Sequence, residues 1–170
     1  MPTEAHMGAA FLLTKATLSE NPQLIQDFGK AVRKSWLLPE GIWHQRISKE
    51  SCDGVLVPYE LIDFRNQSKI SDPKRFLSWK GLTGRPPLSI LSIPAGEKVI
   101  ILCTDGKEAA KSDAFLTEVR SRRAVILRKL YLPFAARTDQ EEKKKLDWLK
   151  KEEAITEEEY QSLTAELSLD

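Results

Sequence analysis

The residues best suited to do chemistry are Asp105-Gly106-Lys107, which follow the apolar run Val99-Ile100-Ile101-Leu102-Cys103. A carboxylate and an ammonium two residues apart at a strand end can divide the work of metal-dependent hydrolysis. The acid holds Mg²⁺, and the lysine stabilises charge near the attacking water. That chemistry needs a second acid from a preceding strand. Between Lys74 and Gly96 the chain has no Asp or Glu, so Asp63 or Asp72 would have to serve from farther away. The bland reading is a turn, since Asp-Gly stops a strand. The two imidazoles, His6 and His44, and the two thiols, Cys52 and Cys103, do not make a cluster with zinc-ligand spacing. Cys103 sits in the apolar run and reads as a small core hydrophobe, a usage that suits a reducing, cytoplasmic compartment. No cofactor is expected apart from Mg²⁺ under the hydrolytic reading.

A second chemistry lies in the basic cluster Arg120, Arg122, Arg123, Arg128 and Lys129. On one helix, Arg120 and Arg123 would share a face and could meet phosphates. No aromatic residue interleaves the cluster to stack bases, which favours a solvated face instead. The charge distribution supplies a reason for such a face. The chain of 170 residues has net charge +1, yet residues 107–137 hold 8 basic and 3 acidic groups while residues 138–170 hold 5 and 11. A basic block next to an acidic block predicts that one pairs with the other, or that each meets a partner.

Positioning elements follow from spacing. Asn21-Pro22 offers a helix cap, and Leu24, Phe28, Ala31, Val32 and Trp36 recur at helical spacing up to Pro39 and Gly41, which predicts a helix over 21–37. Gly54–Phe64 reads as a β-rich stretch interrupted by Pro58, and 75–79 as a weaker strand. The clearest pair is 88–93 with 98–103, joined by the turn Pro94-Ala95-Gly96-Glu97. Residues 107–123 carry an amphipathic stripe (Ala110, Phe115, Leu116, Val119), and the β-branched run at 124–132 favours a strand.

The last 33 residues hold two helix starts. Thr138-Asp139-Gln140-Glu141 and Thr156-Glu157-Glu158-Glu159 both have capping-box spacing, and Ile155 with Tyr160 has the spacing of a hydrophobic staple. Leu146, Trp148 and Leu149 form a narrow apolar edge among lysines, and Leu163 and Leu167 continue the second stripe. These seven apolar residues are the candidate interaction surface. A hairpin this short cannot bury enough apolar area to stand alone, so it must dock on its own domain or on another molecule.

The stretch "EEKKKLDWLKKEEAITEEEYQSLTAEL" resembles the bacterial short C-terminal domain, the SHOCT family, at Leu146, Leu149, Ile155, Thr156, Glu159, Tyr160 and Leu167. It departs from that family at Glu153, where glycine is usual. The resemblance covers about 30 residues and implies an oligomerisation or regulatory appendage on a bacterial or phage-related protein. Asp105-Gly106-Lys107 resembles the acid-x-Lys half-motif of restriction-endonuclease-like nucleases, which implies Asp63, Asp105 and Lys107 as a metal-dependent catalytic set.

Together these readings predict an α+β protein, with a small α/β domain as the alternative. Residues 1–9 would be a flexible start, 10–136 a globular domain and 138–170 a helical hairpin. The leading expectation is a non-catalytic accessory or regulatory protein that associates with itself or a protein partner. The rivals are a nuclease and a nucleic-acid-binding protein. No run is long and apolar enough to predict a membrane span.

Overall fold

A computed structural model describes residues 22–27, 31–48, 52–71, 89–104 and 107–167. The architecture is α+β. Strands β1 (Leu24–Asp27), β2 (Ala31–Leu37), β3 (Gly41–Ser48) and β4 (Cys52–Pro58) form an antiparallel sheet in the order β1-β2-β3-β4. A 3₁₀ turn, Tyr59–Leu61, leads to β5 (Ser68–Ser71), which joins β6 (Ser89–Ala95) and β7 (Lys98–Cys103) in a second antiparallel sheet. Helices α1 (Lys107–Tyr131), α2 (Asp139–Lys151) and α3 (Glu157–Ala165) complete the chain. Contacts divide it into two compact units, Met1–Thr117 and Glu118–Asp170, so the division falls inside α1 rather than at residue 137.

Two expectations about local structure are overturned. Where spacing predicts a helix over 21–37, the described residues are β1 and β2. Leu24 and Gln26 are buried while Ile25 is half exposed, a two-residue alternation hidden within the helical spacing. Pairing with β3 decides the matter, with Trp36 opposite Trp43 and Leu37 opposite Ile42. Pro39 and Gly41 do break the chain, but as a hairpin turn in which Leu38 N–H donates to Gly41 C=O at 2.9 Å. Gly41 is required there because a Cβ would lie 2.3 Å from the Val57 carbonyl oxygen.

The second correction concerns 124–132, which continues α1 as helix through Tyr131. Phe115, Val119, Arg123 and Leu127 are buried at four-residue spacing, while Val125 is 60% exposed. The periodic stripe therefore outweighs the strand preference of individual β-branched residues. The expected hairpin forms between Ser89–Ala95 and Lys98–Cys103, with Pro94 and Ala95 still paired in the strand and the loop shortened to Gly96-Glu97. Gly96 has φ of 61° at the first position of its two-residue loop, a conformation glycine adopts without strain.

In the sheet unit Tyr59, Ile62, Ile93, Ile100 and Leu102 are fully buried, and Trp36, Leu38 and Trp43 form a second cluster with Leu56 packed against it. Polar side chains tie the two sheets together, Lys98 by donating to Leu56 C=O at 3.3 Å and Gln26 more extensively. Gln26 on β1 accepts from Cys103 N–H at 3.0 Å and donates to Cys103 C=O at 2.9 Å, so its amide imitates a paired strand at the end of β7. The second amide hydrogen goes to Ser112 Oγ at 2.9 Å, and Ser112 in turn donates to Cys103 C=O. Both Gln26 and Ser112 are buried, so every polar atom of the cluster needs these partners.

Candidate functional site: a helical unit closed by charge pairs

The C-terminal unit is specified locally at each helix end. Thr138 caps α2 by accepting from Glu141 N–H at 3.2 Å. The reciprocal half of a capping box is not among the bonds of this cap; Glu142 instead accepts from Ala136 N–H, ahead of the cap, at 2.6 Å and pairs with Lys145. At α3 the complete capping box forms, with Thr156 Oγ1 accepting from Glu159 N–H and Glu159 accepting from Thr156 N–H at 2.9 Å. Three glutamates in that first turn meet the positive end of the helix dipole.

Between the helices the chain turns through Glu153, at φ of 59°. Glu153 N–H donates to Lys150 C=O and Ala154 N–H to Leu149 C=O, the bond pattern of a Schellman ending. This ending needs a left-handed residue, a place that favours glycine, and the chain fills it with Glu153, whose side chain reaches Arg120 at 3.6 Å.

The apolar positions singled out from sequence come together here. Leu146, Leu149, Ala154 and Ile155 form one buried cluster with Leu127 of α1, and Trp148, Tyr160, Leu163 and Leu167 pack against it. Fully burying each leucine contributes about 1.5–3 kcal/mol. Trp148 also meets Tyr131 edge-on, with ring centroids 4.9 Å apart. Lys150 lies over the Tyr160 ring and pairs with Glu157, while Tyr160 Oη donates to Asp147.

The basic cluster is engaged within the same unit. Arg123 donates to Glu152 at 2.5 Å, with both side chains almost fully buried. Arg128 makes a two-pronged contact with Glu159, both distances 2.7 Å, and reaches Ala154 C=O at 3.4 Å. Arg122 pairs with Glu118 one turn away, and Lys129 is exposed. Arg128, followed by the Thr156 N–H, lowers the Glu159 carboxyl from its ordinary value of 4.5 to about 2.

The remaining candidates are not brought together by the described residues. Asp105 and Asp72 lie outside them, as does the Lys107 side chain. Asp63 is occupied by its own turn, accepting from Asn66 Nδ2 at 2.6 Å and from the N–H groups of Arg65 and Asn66. That side-chain bond, first among several influences, holds the Asp63 carboxyl below its usual range. Among the described residues there is no group of three or more His, Cys, Asp or Glu side chains that could hold a metal ion, and no helix long and apolar enough to cross a membrane.

One histidine pair was not foreseen. His44 lies between Ser35 Oγ, 2.7 Å from Nδ1, and Arg33, 3.0 Å from Nε2. A guanidinium can only donate, so Nε2 accepts and Nδ1 carries the proton toward Ser35. His44 therefore cannot take a proton from Ser35, and the pair is structural rather than nucleophilic. Burial, then the Arg33 charge, lowers the imidazole from 6.5 to about 4. The register that sets Ser35 opposite His44 comes from strand pairing, which helical spacing at 21–37 concealed.

Comparison with known proteins finds no matching family model, no matching curated protein and no matching solved structure.

Proposed function

We propose that this chain is a non-catalytic accessory or regulatory protein of a bacterial or phage-related system, acting in the cytoplasm through its C-terminal helical unit. On this reading the hairpin is a SHOCT-like appendage that serves self-association or docking of a protein partner. The observation that carries it is the helical unit itself. Its capped turns, its leucines and its opposed charge blocks are all directed at holding helices against one another, an arrangement suited to association rather than to bond cleavage. Ion pairs occupy Arg120, Arg122, Arg123 and Arg128, groups that a nucleic-acid backbone would otherwise require.

Light scattering on the full chain over a concentration series, beside Leu149→Asp, tests this. Association or partner capture that the substitution abolishes is the expected result. A protein that stays at the mass of one copy, and captures the same proteins with and without the substitution, overturns it. Mg²⁺-dependent cleavage of DNA or RNA that Asp105→Ala removes would install the nuclease reading in its place.

A further inference from the structure

We infer that the α2–α3 hairpin of one copy exchanges onto α1 of a second copy, forming a reciprocal dimer. This deepens, and rests on, the association reading. The contacts with α1 come from both helices of the hairpin and the turn between them: Leu146 and Leu149 join the Leu127 cluster and Trp148 meets Tyr131. Glu152 meets Arg123, Glu153 meets Arg120, Ile155 joins the Leu127 cluster, and Glu159 with the Ala154 carbonyl meets Arg128. Every copy thus carries a receptor at 120–131 and its matching ligand at 146–159. The segment whose chemistry is known to fit this face is the chain's own.

The two halves are joined by residues 132–138, seven residues that extended would reach roughly 23–25 Å. Few bonds hold this connection closed. Leu132 N–H donates to Arg128 C=O, Phe134 N–H reaches Tyr131 C=O at 3.4 Å, Lys145 reaches Phe134 C=O, and Ala136 is held by Glu142. Opening it breaks the few bonds of the connection, while exchange re-forms between copies every contact the hairpin makes with α1, so that interface is neutral in the balance. The connection itself changes. Val125, Leu130, Tyr131 and Phe134 fall within ten residues at or before it and are 60%, 45%, 41% and 69% exposed. In a two-fold dimer the extended connections run past one another, and apolar side chains there gain cover that one copy cannot give them. The tether still favours closure within one copy at low concentration, so the dimer is concentration-dependent.

A charge-reversal pair tests the exchange. Arg128→Glu in one chain and Glu159→Arg in another each set like charges face to face within a single copy. In a mixed exchanged dimer both contacts become opposite in sign. Mixing the two full-length variants, distinguished by mass labels, is expected to give a one-to-one dimer by native mass spectrometry and a doubled molar mass by light scattering. The double variant Arg128→Glu/Glu159→Arg restores the pair within one chain and controls for folding.

Mixing that leaves one-copy masses, with helices intact by circular dichroism, overturns the exchange. If the wild type still associates and Leu149→Asp still abolishes that, the association reading survives with a different interface. Should either reversal unfold the helices, Phe134→Ser in the wild-type chain decides. It is expected to weaken dimerisation about tenfold or more while leaving amide protection at Leu146–Leu149 unchanged. Unchanged dimerisation, or no dimer in the wild type, overturns the inference.

Discussion

The sheet unit and the helical unit satisfy their buried polar groups in opposite ways. In the sheets, Gln26, Ser112 and the Cys103 backbone form a neutral network between residues up to 86 positions apart, and His44 is kept uncharged. In the helices the partners are charged and closer in sequence, with Arg123–Glu152 and Arg128–Glu159 separated by 29 and 31 residues. A neutral network is insensitive to salt and depends on long-range chain closure. A charged one is specified by local helix caps and fails when one member is lost.

The sharpest way to break the comparison is Glu152→Ala. It strands the nearly buried Arg123 and should cost about 3–5 kcal/mol, melting the helical unit first while strand amides stay protected in hydrogen exchange. Replacing both members by apolar residues, Arg123→Met with Glu152→Leu, should recover most of that loss.

Acid separates the units by another route. The folded sheet holds His44 neutral down to about pH 4, whereas the unfolded chain takes up a proton near 6.5. The stability this contributes is complete above about pH 6.5 and declines as pH falls toward 4, by on the order of 3 kcal/mol at most. Glu159, held near 2, contributes stability that persists above about 4.5 and is lost only below it. Denaturation followed at separate strand and helix probes should show the sheets weakening first between pH 6.5 and 4, and His44→Gln should remove that dependence.

A smaller effect is expected from Gln26→Leu. It leaves the edge N–H of Cys103 without its acceptor and should cost about 1–3 kcal/mol, read from urea midpoints at the strand probe and independent of salt. The smallest effect has the opposite sign. Glu153→Gly removes a left-handed strain of about 1–2 kcal/mol and gives up only an exposed 3.6 Å ion pair, so the helical unit should gain about 1 kcal/mol after glycine's own entropy cost.

The same contrast explains which parts were legible. The α3 capping box and the hairpin of Ser89–Ala95 with Lys98–Cys103 each depend on residues a few positions apart, and each forms as expected. At α2 only half of the expected box forms, with Thr138 accepting from Glu141 N–H, while Glu142 holds the Ala136 N–H ahead of the cap. The apolar spacing of 21–37 fits a helix as well as a strand, and only β3 beside it selects the strands. The run at 124–132 was misread because the β preference of Val125, Ile126 and Tyr131 is weak beside the buried position of Leu127. Gln26 and the Ser35–His44–Arg33 chain carried no sequence signal, since their partners come from distant or cross-strand positions.

The sequence by itself determined where the tail helices begin, where the hairpin turns, and that a basic block precedes an acidic one. Those features are set by backbone groups that local side chains must satisfy, whatever else surrounds them. Tertiary structure alone decided that α1 runs unbroken into the basic block, that its arginines meet Glu152, Glu153 and Glu159, and that Leu24–Asp27 and Ala31–Leu37 are strands. In each of those cases two local conformations are close in energy, and burial against a partner distant in sequence supplies the few kcal/mol that separate them.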